Sequence, residues 1–234
     1  MEAREATVPL SHGGVISARL FWPKAFGVSR DAEPSAVAAA ARGACVLVLH
    51  QYAVMGGSQD LMRGIAREFA TKHGMTACTF NGRGVGASSG CVTLTGHSEA
   101  DDAAEVGAWL QAAGFSRILL VCSSAGAAVG GSALDKSPAF TAYVALGYTF
   151  GFWASIIFGR HFHAVLESPK PKLFIQARRR GGVRCSTWAS RSALTAHGAL
   201  TAHGARHRAR GTSSRRPARC WRCGAACGGA CAGR

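Results

Sequence analysis

"ILLVCSSAGAAVGGSALD", residues 118–135, decides how the chain is read. The aliphatic run at its start has the character of a strand buried on both faces, and the small residues at its end suit a helix. A strand, a sharp turn and a helix form the arrangement that raises a single serine hydroxyl on a strained corner. Such a corner needs small residues two before and two after the serine, because the backbone there is tight. Centred on Ser124, those positions are Cys122 and Gly126; centred on Ser123, the first is Val121, whose β-branch clashes. Ser124 is therefore the candidate nucleophile.

Outward from this stretch, strands and helices alternate. "ATVPLSHGGVISARLFWP" gives two β-like runs about Gly13-Gly14, a hairpin signal, and an Ala/Pro/Ser-rich linker is expected from Lys24 to Arg42. "ACVLVLH" and "MTACTFN" read as strands, with a helix between them that Ser58 caps and Gly74 ends. "SEADDAAEVGAWLQAAG" reads as a helix with a Ser98-x-x-Asp101 capping box and Gly114 at its end. "FTAYVALGY" and "KLFIQ" are two further strands, separated by the irregular "GFWASIIFGRHFHAVLESPKP". This alternation predicts an α/β fold: a mostly parallel sheet with helices on both faces.

Periodicity stops after Gln176, so residues 1–176 are read as an α/β domain and 177–234 as a tail. Up to Gln176 there are 14 Lys+Arg against 12 Asp+Glu, whereas the last 58 residues hold 13 Arg and no acid. Of the formal net charge of +15, +13 thus belongs to the tail and +2 to the rest. The tail contains the hexapeptide repeat "ALTAHG" twice and no Asn, Gln, Ile, Phe, Tyr or Met, so it is expected to be disordered. Its "CWRCGAACGGAC", Cys220 to Cys231, is too compact for a structural zinc site, which pairs two ligand sets across a longer loop. Its arginines lack the fold and the spaced aromatics of a specific nucleic-acid reader. Cys45, Cys78, Cys91 and Cys122 are read as reduced core residues. Without a signal peptide or a run of membrane-spanning length, a soluble, cytoplasmic protein is expected.

Two other stretches carry a resemblance. "VLVLHQYAVMGGS" resembles the His-Gly-type loop after the third strand of α/β-hydrolases, and "FNGRGVGASSG" resembles their Asp-x-Arg-Gly-x-Gly-x-Ser turn after the fourth. With "CSSAG" third in order, the chain from about Ala6 to Gln176 resembles the α/β-hydrolase superfamily, nearest its small dienelactone-hydrolase or prolyl-peptidase-like branch. Gln51, Asn81 and Cys122 depart from that pattern, standing where the family has Gly, Asp and Gly. The resemblance implies serine-dependent hydrolysis of an ester, thioester or amide, with Ser124 attacking and the backbone N–H groups of Ala125 and Tyr52 holding the oxyanion. It implies a small acyl or peptide substrate; no cofactor, metal, membrane or specific nucleic acid is expected. Oligomeric state stays open. His50 and Arg83 are read as structural, through hydrogen bonds that hold their two loops.

The resemblance also implies a triad acid beyond the seventh strand, "PKLFIQ", and a histidine after an eighth. No Asp or Glu follows Glu167. His197, His203 and His207 lie in the tail with no apolar strand before them, and His161 and His163 are expected at the surface or in a lid. Asp101 and Asp102 suit a helix N-terminus without a catalytic role. The chain is accordingly expected to lack the family's last strand and helices, leaving "KLFIQ" as a bare edge, through a frameshift or gene-model departure near Ala177. Turnover is expected to be impaired. A non-catalytic binding or scaffold protein of the same fold is the alternative reading, and a basic nucleic-acid binder a third.

Overall fold

The computed structural model describes residues 1–149, 161–178 and 182–188. Its strands are β1 (Glu2–Pro9), β2 (Val15–Trp22), β3 (Ala44–Leu49), β4 (Thr76–Phe80), β5 (Arg117–Ser123), β6 (Phe140–Leu146), β7 (Lys172–Arg178) and β8 (Gly182–Trp188). Its helices are α1 (Pro34–Ala40), α2 (Gln59–Lys72), α3 (His97–Ala112), α4 (Ala125–Ala133) and α5, over 161–167. The strands form one 8-stranded sheet in the order β1-β2-β4-β3-β5-β6-β7-β8. The pairs from β4 through β3, β5 and β6 to β7 are parallel; β1–β2, β2–β4 and β7–β8 are antiparallel. The predicted mostly parallel sheet is therefore present, led by the hairpin that turns at Gly13 and Gly14, both at φ near +90°.

Alternation along the strands sorts side chains to two faces. Leu47, Leu49, Phe80, Leu120 and Cys122 pack with α1, α3 and α4 on one face, while Val46, Val48, Ala77 and Val121 pack with Met62, Ala66 and Ala70 of α2 on the other. Each Val, Leu, Phe or Met among them taken from water stabilises the fold by about 1.5–3 kcal/mol. The small residues of α4 have a packing reason. A Cβ on Gly130 would run into Cys122 and lie 2.9 Å from Leu49, and one on Gly131 would run into Val165 of α5. Helix α4 can lie this close only because it carries almost no side chain.

Several expectations need correction. Residues 24–42 are not a linker: Lys24–Phe26 is a 3₁₀ turn, and the Ala-rich part folds as α1 with Pro34 at its first position and Val37 and Ala38 buried. Pro at that position and four alanines are helix signals that an Ala/Pro/Ser composition concealed. Nor does α3 start with a Ser98 capping box. It starts at His97 after Gly96, and Glu99 instead accepts from Thr93 N–H and Oγ1, both at 2.5 Å. Ser58 does stand at the α2 N-cap, but its hydroxyl makes no cap bond; Asn81 Oδ1 accepts from Gln59 N–H at 2.9 Å. Cys45, Cys78 and Cys122 are buried free thiols, raised by burial, whereas Cys91 is exposed.

The ladder also runs past Gln176. Strand β8 returns antiparallel on β7, from Lys172↔Trp188 to Arg178↔Gly182, so the edge expected to be bare is paired. Val183, Thr187 and Trp188 suit an extended backbone, and an open edge offers any such segment its unpaired N–H and C=O groups. The eighth strand is thus a hairpin return and not the parallel strand that a helical crossover would deliver. His197, His203, His207 and the cysteines from Cys220 to Cys231 lie outside the described residues, as does all of the insert before His161.

Candidate functional site

Ser124 sits between β5 and α4 with φ +54° and ψ −130°. Arg42 is the one other non-glycine residue at positive φ among the described residues. A β-substituted residue in this region is strained by about 1–3 kcal/mol and persists because its neighbours over-determine it. Here β5 and β6 hold one side through Ser124 N–H to Leu146 O at 2.8 Å, and α4 holds the other through Ala127 N–H to Ser124 O at 3.0 Å. The serine is half-buried, and its hydroxyl makes no hydrogen bond among the described residues. Ala125 is the first residue of α4, so its N–H has no partner within the helix and points with the positive end of the helix dipole.

The loop after β3 leans on this corner. A Cβ on Gly126 would collide with the carbonyl oxygen of His50 and come within 3.3 Å of Gln51 Cα, so bare backbone meets bare backbone there. Gly57 is pressed in the same way against Gln51 O and lies close to His50 Nδ1. Between them Tyr52 precedes the 3₁₀ turn Ala53–Met55, which Gly56 closes at φ +77°. Ala125 and Tyr52 therefore come from two segments that touch at Gly126. The tyrosine ring itself is buried, and desolvation with the nearby Glu99 charge raises its phenol.

His50 fastens the loop. It is 3 % exposed; Nε2 accepts from Gly82 N–H at 2.9 Å, which leaves the proton on Nδ1 to be donated to Gln51 O at 2.5 Å. Burial lowers its pKa. The turn after β4 is tied from both sides, since Asn81 N–H donates to Ser17 O and Ser88 Oγ donates to Asn81 O, each at 2.9 Å. Arg83 from the same turn grips Asp102 of α3 in a two-pronged pair, Nε to Oδ2 at 2.7 Å and an Nη to Oδ1 at 2.6 Å. The Asp102 carboxylate has no solvent exposure, and that grip raises the Arg83 guanidinium further. His50 and Arg83 are scaffold. Asp102 is engaged and turned to Arg83, and Asp101 pairs with Lys136 at the surface.

His161, expected at the surface or in a lid, is instead 1 % exposed in α5. Its Nδ1 meets Ser132 Oγ at 2.5 Å and its Nε2 meets Thr95 O at 2.6 Å, with the His97 ring 4.7 Å away. Thr95 O can only accept, so Nε2 carries the proton and Nδ1 receives the serine hydroxyl. Both ring nitrogens are occupied in joining α5 to α4 and to the loop before α3. Burial lowers this pKa as well. Two histidines held neutral make stability pH-dependent with a definite sign. Their folded pKa values lie below the unfolded value near 6.5, so their contribution is present above that pH and is lost as pH falls toward the folded values. Urea melts below pH 6.5 are expected to lose up to about 1.4 kcal/mol per pH unit for each histidine, the loss being smaller in His161→Gln.

Among the described residues, then, Ser124 has a strained backbone and two nearby amide-bearing segments, but neither imidazole nor carboxylate bonded to it. Sequence reasoning missed Asn81 as a helix cap and Glu99 as the anchor of the Thr93 loop. Both bonds join segments whose contact only the tertiary fold creates.

No family model and no curated relative matches the chain. Solved structures do. A lidless α/β serine hydrolase of Xanthomonas campestris superposes with a TM-score of 0.52 at 23% identity, covering 65% of this chain and 64% of that one. An α/β serine hydrolase homologue of Coxiella burnetii gives 0.56 at 20% identity, over 76% and 74%. The Pyrococcus furiosus esterase Pf2001 gives 0.54 at 17%, over 74% and 70%. The chain thus has the α/β-hydrolase fold, and it spans a little under two thirds of the Xanthomonas protein's length. No described helix is long and apolar enough to cross a membrane.

Proposed function

We propose that the chain carries the nucleophile end of a serine hydrolase of the small dienelactone-hydrolase or prolyl-peptidase-like kind, acting on an ester, thioester or amide. The observation that carries this reading is the Ser124 backbone at φ +54°, ψ −130°, a strained conformation held between β5 and the start of α4. In the reaction Ser124 Oγ bonds to the acyl carbon, the carbonyl π pair moves onto oxygen, and the amides of Ala125 and Tyr52 receive that charge. Such donors contribute several kcal/mol because they are fixed before charge develops. The intermediate collapses to expel the alcohol, thiol or amine, and water then releases the acid. The serine proton needs an acceptor, and the imidazoles of His50 and His161 are both engaged elsewhere. Among the described residues no imidazole is left to serve Ser124, and turnover that rests on the strained serine and the amides is impaired.

Fluorophosphonate labelling of the full chain tests this. Slow covalent labelling that Ser124→Ala abolishes, and that added imidazole accelerates by supplying the missing base, is the expected result. Equal labelling of Ser124→Ala, or none of the parent chain with or without imidazole, would sink it. The latter result favours a non-catalytic binding protein of this fold. A nucleic-acid role resting on the tail would show instead as binding that falls steeply with salt.

A further inference from the structure

Far from Ser124, the first strands and α2 line an open concavity of about 300 Å³. Its walls carry Arg4, Arg19, Arg30, Arg63 and Arg67, with Glu5 as its one acid. Some of this charge is already answered. Arg19 donates to Glu5 at 2.5 Å and reaches Asp60 at 3.3 Å, and Arg4 pairs with Glu33 at 3.1 Å. The remaining three are not answered in that way. Arg30 donates only to the neutral carbonyl of Ala3 at 3.3 Å, Arg63 stands 4.0 Å from an Asp60 that Arg19 shares, and Arg67 has no ion pair among the described residues. Five guanidinia against Glu5, Asp60 and Glu33 leave an excess of two positive side-chain charges around one hollow.

The placement is set by the fold. Arg63 and Arg67 are one helical turn apart, so they share an exposed face of α2, and that face borders the hollow that Ala3 of β1 and Phe21 of β2 also line. Arg30 approaches from the segment that follows the first 3₁₀ turn. Guanidinia from two elements line one hollow, and arginine is the side chain that donates two parallel N–H bonds to a tetrahedral oxyanion. The pocket lies beside β1, four strand spacings from β5, or about 19 Å along the sheet from Ser124. It is separate from the chemistry proposed for the serine.

We infer that this pocket binds a phosphate-bearing ligand through Arg30, Arg63 and Arg67. A charge of about −2 in the hollow neutralises the excess that the protein leaves there, and the volume suits a phosphate or pyrophosphate group with part of the molecule bearing it. All three arginines are exposed, so replacing them leaves the core untouched.

Titration calorimetry of the full chain with inorganic pyrophosphate at physiological salt tests the site. The triple variant Arg30→Gln/Arg63→Gln/Arg67→Gln is compared with a tail variant, Arg215→Gln/Arg216→Gln/Arg219→Gln, that removes equal charge elsewhere. The pocket variant is expected to lose about tenfold or more in affinity while the tail variant stays near the parent. Pyrophosphate affinity equal in parent and pocket variant, an equal loss in the tail variant, or no binding at all overturns the proposal. Sedimentation with phosphoinositide vesicles separates the sources of such a group. Retention that depends on the three arginines identifies a lipid headgroup, and pyrophosphate binding without retention identifies a free phosphate compound.

Discussion

Arg83→Met is expected to destabilise the domain by about 3–5 kcal/mol in urea unfolding, because it strands a carboxylate that has no access to water. Asp102→Asn is expected to cost less, about 1–3 kcal/mol, since the amide can still accept from the guanidinium and the 15 % exposed Arg83 can turn its charge toward solvent. The double variant Arg83→Met/Asp102→Leu should recover most of the loss, for a buried ion pair replaced by apolar groups of similar size is often neutral. That pattern distinguishes a structural pair from a catalytic acid. If Asp102 served Ser124, Asp102→Asn would suppress fluorophosphonate labelling; a scaffold role leaves the rate of the folded protein unchanged. A double variant as unstable as Arg83→Met alone would show that the pair supports something beyond its own neutralisation.

The sheet was legible because burial on both faces writes itself into strands such as "VLVL" and "ILLV", and because Gly13-Gly14, Gly74 and Gly114 fall where the backbone turns to positive φ. The corner at Ser124 was legible for a similar reason: steric demand at the −2 and +2 positions restricts composition. What escaped the sequence was contact between distant segments. Asn81 looked like a neutral stand-in for a family aspartate, yet its Oδ1 caps α2, 22 residues away. An amide oxygen accepts that bond as a carboxylate would, and it is buried without the cost of a charge. His161 reads as a surface or lid residue since nothing near it in sequence announces that Ser132 and Thr95 will close on its ring. Strand β8 escaped because a segment with little apolar periodicity gains its order from an edge that another strand presents.

Gly126→Ala carries the other large effect, and its sign depends wholly on that long-range contact. In an isolated helix, glycine to alanine stabilises by about 1 kcal/mol. At Gly64 on the exposed side of α2, where a Cβ meets nothing within 4 Å, the substitution is expected to stabilise by about 0.5–1 kcal/mol. At Gly126 the same methyl is driven into His50 O, with His50 C at 3.0 Å and Gln51 Cα at 3.3 Å. These are main-chain atoms: His50 is pinned at Gly82 N–H and Gln51 O, and β3 runs directly into them. The loop and the helix start must separate, at an expected net cost of about 3 kcal/mol. That movement widens the gap between the Ala125 and Tyr52 amides, so labelling of Ser124 should slow by about 10²-fold at temperatures where the variant is still folded, the loss expected when one oxyanion donor is misplaced. A Gly126→Ala protein that melts like the parent would show that the loop is not fixed against α4. One that melts lower but labels at the parental rate would show that these amides do not hold the oxyanion.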